Sequence, residues 1–279
     1  MTDFNQLPAL GSGLGFRLPF TEQVLAAHAE VDFLEITADH FLEADVRRDR
    51  LLERLREKFT LIPHGLNLSL GSAEGLNTGY LAQLRTLVER VDPPWWSEHI
   101  SFTQAGGVEI GHLSPVPFNR QGLDALCENV RIARETIARP LILENITYTM
   151  QLPWNMIDEG EFLAELLERS DCGLLLDVTN LYTNSENHEY DASHFLDQLP
   201  ADRVVQLHYV GGEHLDGQLI DNHSQDTPEP VWELMREVFR RFPVKGAILE
   251  RDGNFPEFNS LLAEVSRCRE VAAEMGRWT

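Results

Sequence analysis

Eight short apolar runs, each followed by a stretch with helical spacing, constrain this chain more than any other feature. They occupy residues 13–18, 32–37, 61–70, 95–101, 141–146, 173–180, 204–210 and 246–252. Runs that stay apolar at consecutive positions suit strands buried on both faces, as in a parallel sheet. Between them, Leu51-Leu52-x-x-Leu55, Leu81-x-x-Leu84-x-x-Leu87-Val88, Phe162-Leu163-x-x-Leu166-Leu167, Val231-x-x-Leu234 and Leu261-Leu262-x-x-Val265 place apolar groups on one side of a helix. Strand and helix alternating eight times in 279 residues predict an α/β fold of the (β/α)8 TIM-barrel type, one domain over residues 1–279. A competing open sheet would need a glycine-rich phosphate loop between its first strand and helix. GSGLG at 11–15 is read instead as preceding a strand, which fails that requirement.

Charge narrows the partners. The 45 acidic and 23 basic residues give a net −22, a surface that repels phosphate backbones and argues against nucleic acid. Cys127, Cys172 and Cys268 stand far apart with no CxxC pair, as expected of buried structural thiols in a reducing compartment. No apolar run approaches the roughly 18 residues of a membrane span. The start, MTDFNQLPALGSG, lacks a basic region followed by an apolar one, so the expected location is cytoplasmic, with no membrane association.

Polar groups recur at the far ends of the expected strands. Glu35 lies in DFLEIT, His64 in LIPHGLNLSLG, and Glu98 and His99 in WWSEHISF. Glu144 and Asn145 end LILEN, Asp177 and Asn180 end GLLLDVTN, His208 ends VVQLH, and Glu250 and Asp252 lie in GAILERD. After Gly211-Gly212 a loop is expected to return through Leu219-Ile220 to Asp221 and His223. Residues two apart in an extended segment share a face, so these two would present an oxygen and a nitrogen to one point. Buried charge is costly unless paired or bound to metal. Acids and histidines at the same end of seven strands therefore point to a polynuclear metal site. Its donors are all nitrogen and oxygen, which suits iron, manganese or zinc. The expected ligands are His64, His99, Glu144, Asp177, His208, Asp221, His223 and Glu250, with Glu35 and Asn145 assigned to substrate binding. Asp252, two residues beyond Glu250, is expected to act as a catalytic base at the mouth, a cap on the loop Gly253-Asn254-Phe255-Pro256 being the bland alternative. Arg251 should face away and form a salt bridge. His112, His188, His194 and His214 read as solvated, and His28 as a structural residue of the first helix.

The spacing of the eight ligands resembles that of the trinuclear-zinc endonuclease IV phosphodiesterases and, more loosely, of xylose-isomerase-like barrels. A wider set of segments resembles the multinuclear non-heme iron-dependent oxidases over nearly the whole chain: HGLNLSLG at 64–71, SEHISF at 97–102, LENIT at 143–147, LLDVTNLYTN at 175–184, QLH at 206–208, LIDNH at 219–223 and LERD at 249–252. That family includes the enzymes that modify cysteine in methanobactin and 3-thiaglutamate biosynthesis. Three residues after the aspartate of the sixth strand, endonuclease IV relatives have histidine and the oxidases asparagine. Here the residue is Asn180, which joins the implied ligand set. Where many oxidase relatives read HLAGH, this chain reads His208-Tyr209-Val210-Gly211-Gly212, without the second histidine. The resemblance implies an enzyme holding two or three iron ions that uses dioxygen to oxidise a ribosomally made precursor peptide, at cysteine. It also implies a small partner protein that binds the peptide's leader, since no recognition domain is evident in the chain. The alternatives are a zinc-type phosphodiesterase and a sugar isomerase. The isomerase would need a poised lysine or histidine, and the sole strand-associated lysine, Lys245, sits at a strand's entrance. Trp278 reads either as an anchor for a partner or second subunit, which leaves a homodimer open, or as a docked tail.

Overall fold

The computed structural model describes residues 2–43 and 45–278. The strands in chain order are β1 Gly11–Gly15, β2 Phe33–Thr37, β3 Thr60–His64, β4 Trp96–His99, β5 Ser101–Ala105, β6 Val108–Pro115, β7 Leu141–Glu144, β8 Gly173–Asp177, β9 Val204–Tyr209, β10 Gly211–Leu215, β11 Gln218–Gln225 and β12 Gly246–Leu249. Eight of them close into a parallel barrel in the order β1-β12-β9-β8-β7-β4-β3-β2, with helices outside it. This is the (β/α)8 barrel expected from the alternation.

Four segments depart from the expected layout. GSGLG at 11–15 is the first strand itself and does not precede it. Glycine is required there by packing: a Cβ on Gly13 would lie 2.6 Å from the Phe33 carbonyl oxygen and 2.7 Å from Ile248 Cδ1. The run 61–70 stops being strand at His64, and of its remaining leucines Leu68 and Leu70 are buried in the loop that follows while Leu66 is only partly so. Residues 101–115 and 211–225, read as loops, are antiparallel hairpins, β5–β6 and β10–β11, standing on the ends of β4 and β9. Both turn through two residues with positive φ, Gly106-Gly107 and Asp216-Gly217, the backbone that matches strand twist in a two-residue hairpin.

Inside the barrel, Phe33, Ile62, Trp95, Ile142, Leu175, Val205 and Ile248 form one apolar layer, with Phe4 of the N-terminal segment packed against it. A much larger cluster fills the space between strands and helices. The tail is docked: Trp278 donates its indole N–H to the Val244 carbonyl at 2.9 Å and meets the Phe239 ring edge-on. His28 is exposed in a turn after the helix Thr21–Ala26. The three cysteines are free, Cys172 and Cys268 fully buried and Cys127 half-buried, and burial pushes the two buried thiols up to about 11 and about 12.

Candidate metal centre

Side chains alternate along a strand, so a residue two beyond an inward apolar one also points inward, one layer nearer the C-terminal mouth. This rule places the centre. Phe33 is followed by Glu35, Ile62 by His64, Ile142 by Glu144, Leu175 by Asp177, and Ile248 by Glu250; Ser97 and Gln206 lead likewise to His99 and His208. The layer above the apolar floor is therefore almost wholly acids and imidazoles, each at most 9% exposed.

Two groups of donors meet there and share one carboxylate. His64 Nε2 and His99 Nε2 lie 3.4 and 3.3 Å from Glu144 Oε2. On the other side, His208 Nδ1 lies 3.3 Å from Glu144 Oε1 and 2.9 Å from Glu250 Oε2, and Asp177 completes this second set. Within each group the donor atoms lie within 4.8 Å of one another. Glu144 thus faces both sets with a different oxygen. A third set of donors lies at the lip, on the β10–β11 hairpin. There His223 Nε2 stands 2.8 Å from Asp221 Oδ1. The expected reason for that approach does not hold, because His223 has φ +50° and leaves the extended conformation; the hairpin's local turn, not a shared strand face, brings the two together.

Apart from Glu144, whose two oxygens both face donors, the donors are aimed by their other polar atom, which is spent on a neighbouring group. His64 Nδ1 meets Ser97 Oγ at 2.8 Å, and His99 Nδ1 donates to the Gly65 carbonyl at 3.2 Å. His208 Nε2 faces Glu35 Oε1 at 2.8 Å. Asp177 Oδ1 caps the helix Val178–His188 by accepting from the Asn180 N–H at 2.7 Å. Asn180 donates through Nδ2 to the Asn145 carbonyl, and Asp221 Oδ2 accepts from the Thr147 hydroxyl. What remains is a set of buried atoms without a hydrogen-bond partner: Glu144 Oε2, Asp177 Oδ2, Asn180 Oδ1, His208 Nδ1, Asp221 Oδ1 and His223 Nε2. Buried polar atoms are rarely left so, and each costs about 1–3 kcal/mol unless something satisfies it. Nitrogen and oxygen donors held in this way fit divalent first-row metal ions.

The electrostatics agree. Burial, with the Glu144 and Asp221 carboxylates nearby, pushes Asp177 up to about 8. Burial opposes protonation of His99, yet Glu144 and Glu98 hold it up at about 9. Burial likewise opposes charge on His208 and His223, and the surrounding carboxylates raise both well above the usual imidazole range. His64 goes the other way, lowered by burial and by the neighbouring His99 and His208. Without metal, protons therefore hold this concentration of charge together.

Three residues take positions different from those expected. Glu35 was expected to touch substrate, but it lies behind His208, 3% exposed, with its second oxygen accepting from Gln206 Nε2 at 2.6 Å. Trp95 donates to Gln206 Oε1 at 2.8 Å, so a buried chain Trp95–Gln206–Glu35–His208 supports the centre from below. Asn145, the other expected substrate contact, spends both side-chain polar atoms on the backbone of Asp177, accepting from its N–H at 2.9 Å and donating to its carbonyl at 3.1 Å. Asp252 is no free carboxylate at the mouth: Oδ1 accepts from Arg17 Nε at 2.6 Å and Oδ2 faces His223 Nδ1 at 2.9 Å. Arg251 turns away from the centre to Asp226 and the Gly253 and Asn254 carbonyls.

Sequence reading gave Arg17, Ser97 and Gln206 no role of their own. It noted Glu98 without a role, and that carboxylate holds the Leu68 N–H at 2.8 Å, pinning the loop after β3. His188, read as solvated, stacks on Tyr148 with ring centroids 4.6 Å apart and meets its carbonyl at 2.8 Å. Tyr148 in turn lines a cleft of about 420 Å³ beside the centre, with Phe118, Met156, Phe195 and the buried Glu159.

A closed parallel barrel with a polynuclear donor set at its mouth defines the class, and solved structures share its fold. A xylose isomerase domain protein of Alicyclobacillus acidocaldarius superposes with a TM-score of 0.62 at 14% identity, covering 95% of this chain and 99% of that one. The TTHB071 protein of Thermus thermophilus, soaked with ZnCl2, gives 0.56 at 20% identity, covering 94% and 98%. Among sequence relatives, a "UPF0276 protein" of Caulobacter vibrioides is 36% identical over 272 residues, which is 96% of this chain and 97% of the relative. One from Chromobacterium violaceum is 35% identical over 259 residues, 93% and 94% respectively. Residues 11–273 match the family described as "RiPP precursor modification enzyme MbnB/TglH/ChrH". The chain belongs to that family and is an enzyme of that kind.

Proposed function

We propose that the chain is an iron- and dioxygen-dependent oxidase that modifies a ribosomally made precursor peptide at cysteine. The observation that carries this reading is the set of buried nitrogen and oxygen atoms left without partners, all but Glu144 on side chains anchored elsewhere, with no cysteine among them. His64, His99 and Glu144 would hold one ion, and Glu144, Asp177, His208 and Glu250 a second. Asn180, Asp221 and His223 would contribute to a third. Bound iron would supply redox chemistry with dioxygen and positions open to a sulfur ligand, which a thiolate-free protein site leaves to the substrate.

The chain's own residues orient and exclude. Glu35 keeps a proton on His208 Nε2, so that Nδ1 stays a lone-pair donor toward the centre. The apolar layer with Phe4 closes the barrel beneath the Trp95–Gln206–Glu35 chain and keeps bulk water out from below. Asp252 is held between Arg17 and His223, so in this reading it positions His223 and is not the base.

The mouth suits a peptide. Among the described residues, the exposed large apolar side chains are Leu18, Val46, Val108, Met150, Trp154, Met156, Leu215 and Phe255. All eight lie between the C-terminal end of a barrel strand and the first turn of the main helix after it, on the side where the metal donors open. Apolar groups gathered on one face mark an interaction surface, here for the precursor peptide or for a leader-binding partner. The test is to purify the chain from iron-rich medium without oxygen, then add a candidate cysteine-bearing peptide encoded nearby, with and without a leader-binding protein. Oxygen uptake and a mass change on the peptide, with two or three irons per chain, are expected. Activity of a zinc-only preparation without oxygen would replace this reading with the hydrolytic one.

A further inference from the structure

Two barrel strands contribute no donor to the centre: β2, whose Glu35 braces His208, and β1. The inward positions of β1 are Gly13 and Gly15, and two residues beyond them stands Arg17, whose side chain is only 15% exposed. Its guanidinium is engaged on every nitrogen. Nη1 donates to the Phe16 carbonyl at 3.0 Å, Nε to Asp252 Oδ1 at 2.6 Å, and Nη2 to Glu250 Oε1 at 3.2 Å, with Asp252 Oδ1 shared between the last two nitrogens. Gly15 makes the room, since a Cβ there would sit 3.1 Å from Nη1.

Asp252 passes this anchoring on to His223. Its Oδ2 meets His223 Nδ1 at 2.9 Å, while the backbone N–H groups of Asp252 and Gly253 both donate to the His223 carbonyl, at 3.0 and 3.3 Å. His223 needs such restraint. With φ +50° it holds a conformation that is strained for a residue other than glycine, and persists only where its surroundings over-determine it. With Nδ1 engaged, Nε2 is the atom left for the centre. It lies 2.8 Å from Asp221 Oδ1, yet the two are not aligned as a hydrogen bond and both remain without a partner. Two donors brought close but not bonded to each other are what a shared cation requires.

We infer that Arg17 and Asp252 are positioning residues that create the third metal position by fixing His223, and that they do so selectively. This rests on the metal-enzyme reading above for there being ions to hold. It does not depend on iron or on the reaction catalysed. Selectivity follows from the contacts. His64, His99 and Asp177 are oriented by Ser97, Gly65 and Asn180, and His208 by Glu35; none of these is touched by Arg17 or Asp252. Glu250 alone spans both regions, with Oε2 on His208 and Oε1 on Arg17. His223, Glu250 and Asp252 also approach closely enough to hold an ion among themselves. The guanidinium already occupies two of those carboxylate oxygens, so Arg17 fills that place as a fixed cation and the ion is held on the Asp221 side.

The experiment is an anaerobic titration of metal-stripped protein with Fe(II), read by calorimetry and by metal content after desalting. Circular dichroism melts of each variant check folding. The native chain is expected to bind three ions. Asp252→Ala should weaken one of them by about 10–100-fold, the usual cost of removing a ligand's supporting partner, and leave two unchanged; Arg17→Gln should weaken that same ion and, through Glu250 Oε1, the second ion to a smaller degree. Asp252→Asn, whose amide oxygen still accepts from His223 Nδ1, should retain more of the third ion than Asp252→Ala. Glu35→Gln should instead weaken an ion that Asp252→Ala leaves unaffected. A native stoichiometry of two, equal weakening of all ions in Arg17→Gln, or an extra ion gained on removing the guanidinium would each overturn the inference. Three ions with the expected selectivity but no oxygen chemistry would leave it standing while the oxidase reading failed.

Discussion

Replacing Glu159 by glutamine should stabilise the protein, and increasingly so as pH rises. Glu159 sits in the first turn of the helix Glu159–Ser170, 8% exposed, and its Oε2 accepts from the Tyr148 hydroxyl at 3.2 Å. Burial pushes its carboxyl from the ordinary 4.5 up to about 8. Below the ordinary value both folded and unfolded chains keep the proton, and the residue costs nothing. Between the two values only the folded chain keeps it, so stability falls as pH rises through that window, and above about 8 the cost is constant. At about 1.4 kcal/mol per pH unit, the window corresponds to a ceiling of about 5 kcal/mol, and local relaxation and entering water should leave roughly half of that. Glutamine keeps the shape and the acceptor for Tyr148 but has no proton to lose. For a chain of this size, 1 kcal/mol moves Tm by about 2 °C. Metal-stripped Glu159→Gln should thus melt about 4–10 °C above the native chain at pH 9 and within about 2 °C of it at pH 5. Comparing the two proteins at each pH cancels the titration of every other group. A gain of equal size at both pH values, or a loss at pH 9, would refute the reasoning.

Other outcomes follow from the scaffold around the donors. Glu35→Gln should weaken one ion by about 10–100-fold while far-ultraviolet circular dichroism stays native, because His208 loses its carboxylate support but the barrel keeps Gln206 and Trp95 in place. Asn145→Ala should cost about 2–4 kcal/mol in a denaturant melt, since it strands the buried N–H and carbonyl of Asp177; a cost under about 0.5 kcal/mol would refute the clamp. Metal affinity should rise with pH between about 6 and 9, because neighbouring carboxylates raise His99 to about 9 and His208 and His223 well above the usual range, and these imidazoles must release their protons to solvent before binding metal. Calorimetry in two buffers of different ionisation enthalpy should show proton release on binding, and identical heats would contradict it.

The ligand layer was legible in sequence because strand periodicity is two: once Ile62, Ile142, Leu175 and Ile248 read as buried, His64, Glu144, Asp177 and Glu250 had to point the same way. The hairpins were legible in principle, since Asp216-Gly217 and Gly106-Gly107 are strong two-residue turn signals, but Gly211-Gly212 was read as a break with a loop after it and the two turn pairs were not weighed. Arg17 was not legible, because its partners stand 233 and 235 residues away and nothing local marks an arginine after GSGLGF as buried. Glu35 and Asn145 show a different kind of limit. A polar residue at a strand end looks alike in sequence whether it touches substrate or braces a ligand, and only the direction of its second polar atom separates the two. His223 adds a third case: it does stand close to Asp221, but the shared strand face expected to bring the two together is removed by its positive φ.

The two hairpins at the mouth are unequal material for evolution. The β5–β6 hairpin carries none of the metal donors, and its root is tied down by the Gly71 N–H on the Ser101 carbonyl and by the Thr103 N–H on the Ser69 hydroxyl. Its outer residues can drift, lengthen or be exchanged between relatives without disturbing the chemistry below. The β10–β11 hairpin carries Asp221 and His223, so a shift of one residue in its register would withdraw both from the centre. Divergence in which peptide is accepted should therefore accumulate on one lip of the barrel, and a library built for altered specificity should randomise residues 104–113 and leave 219–225 untouched.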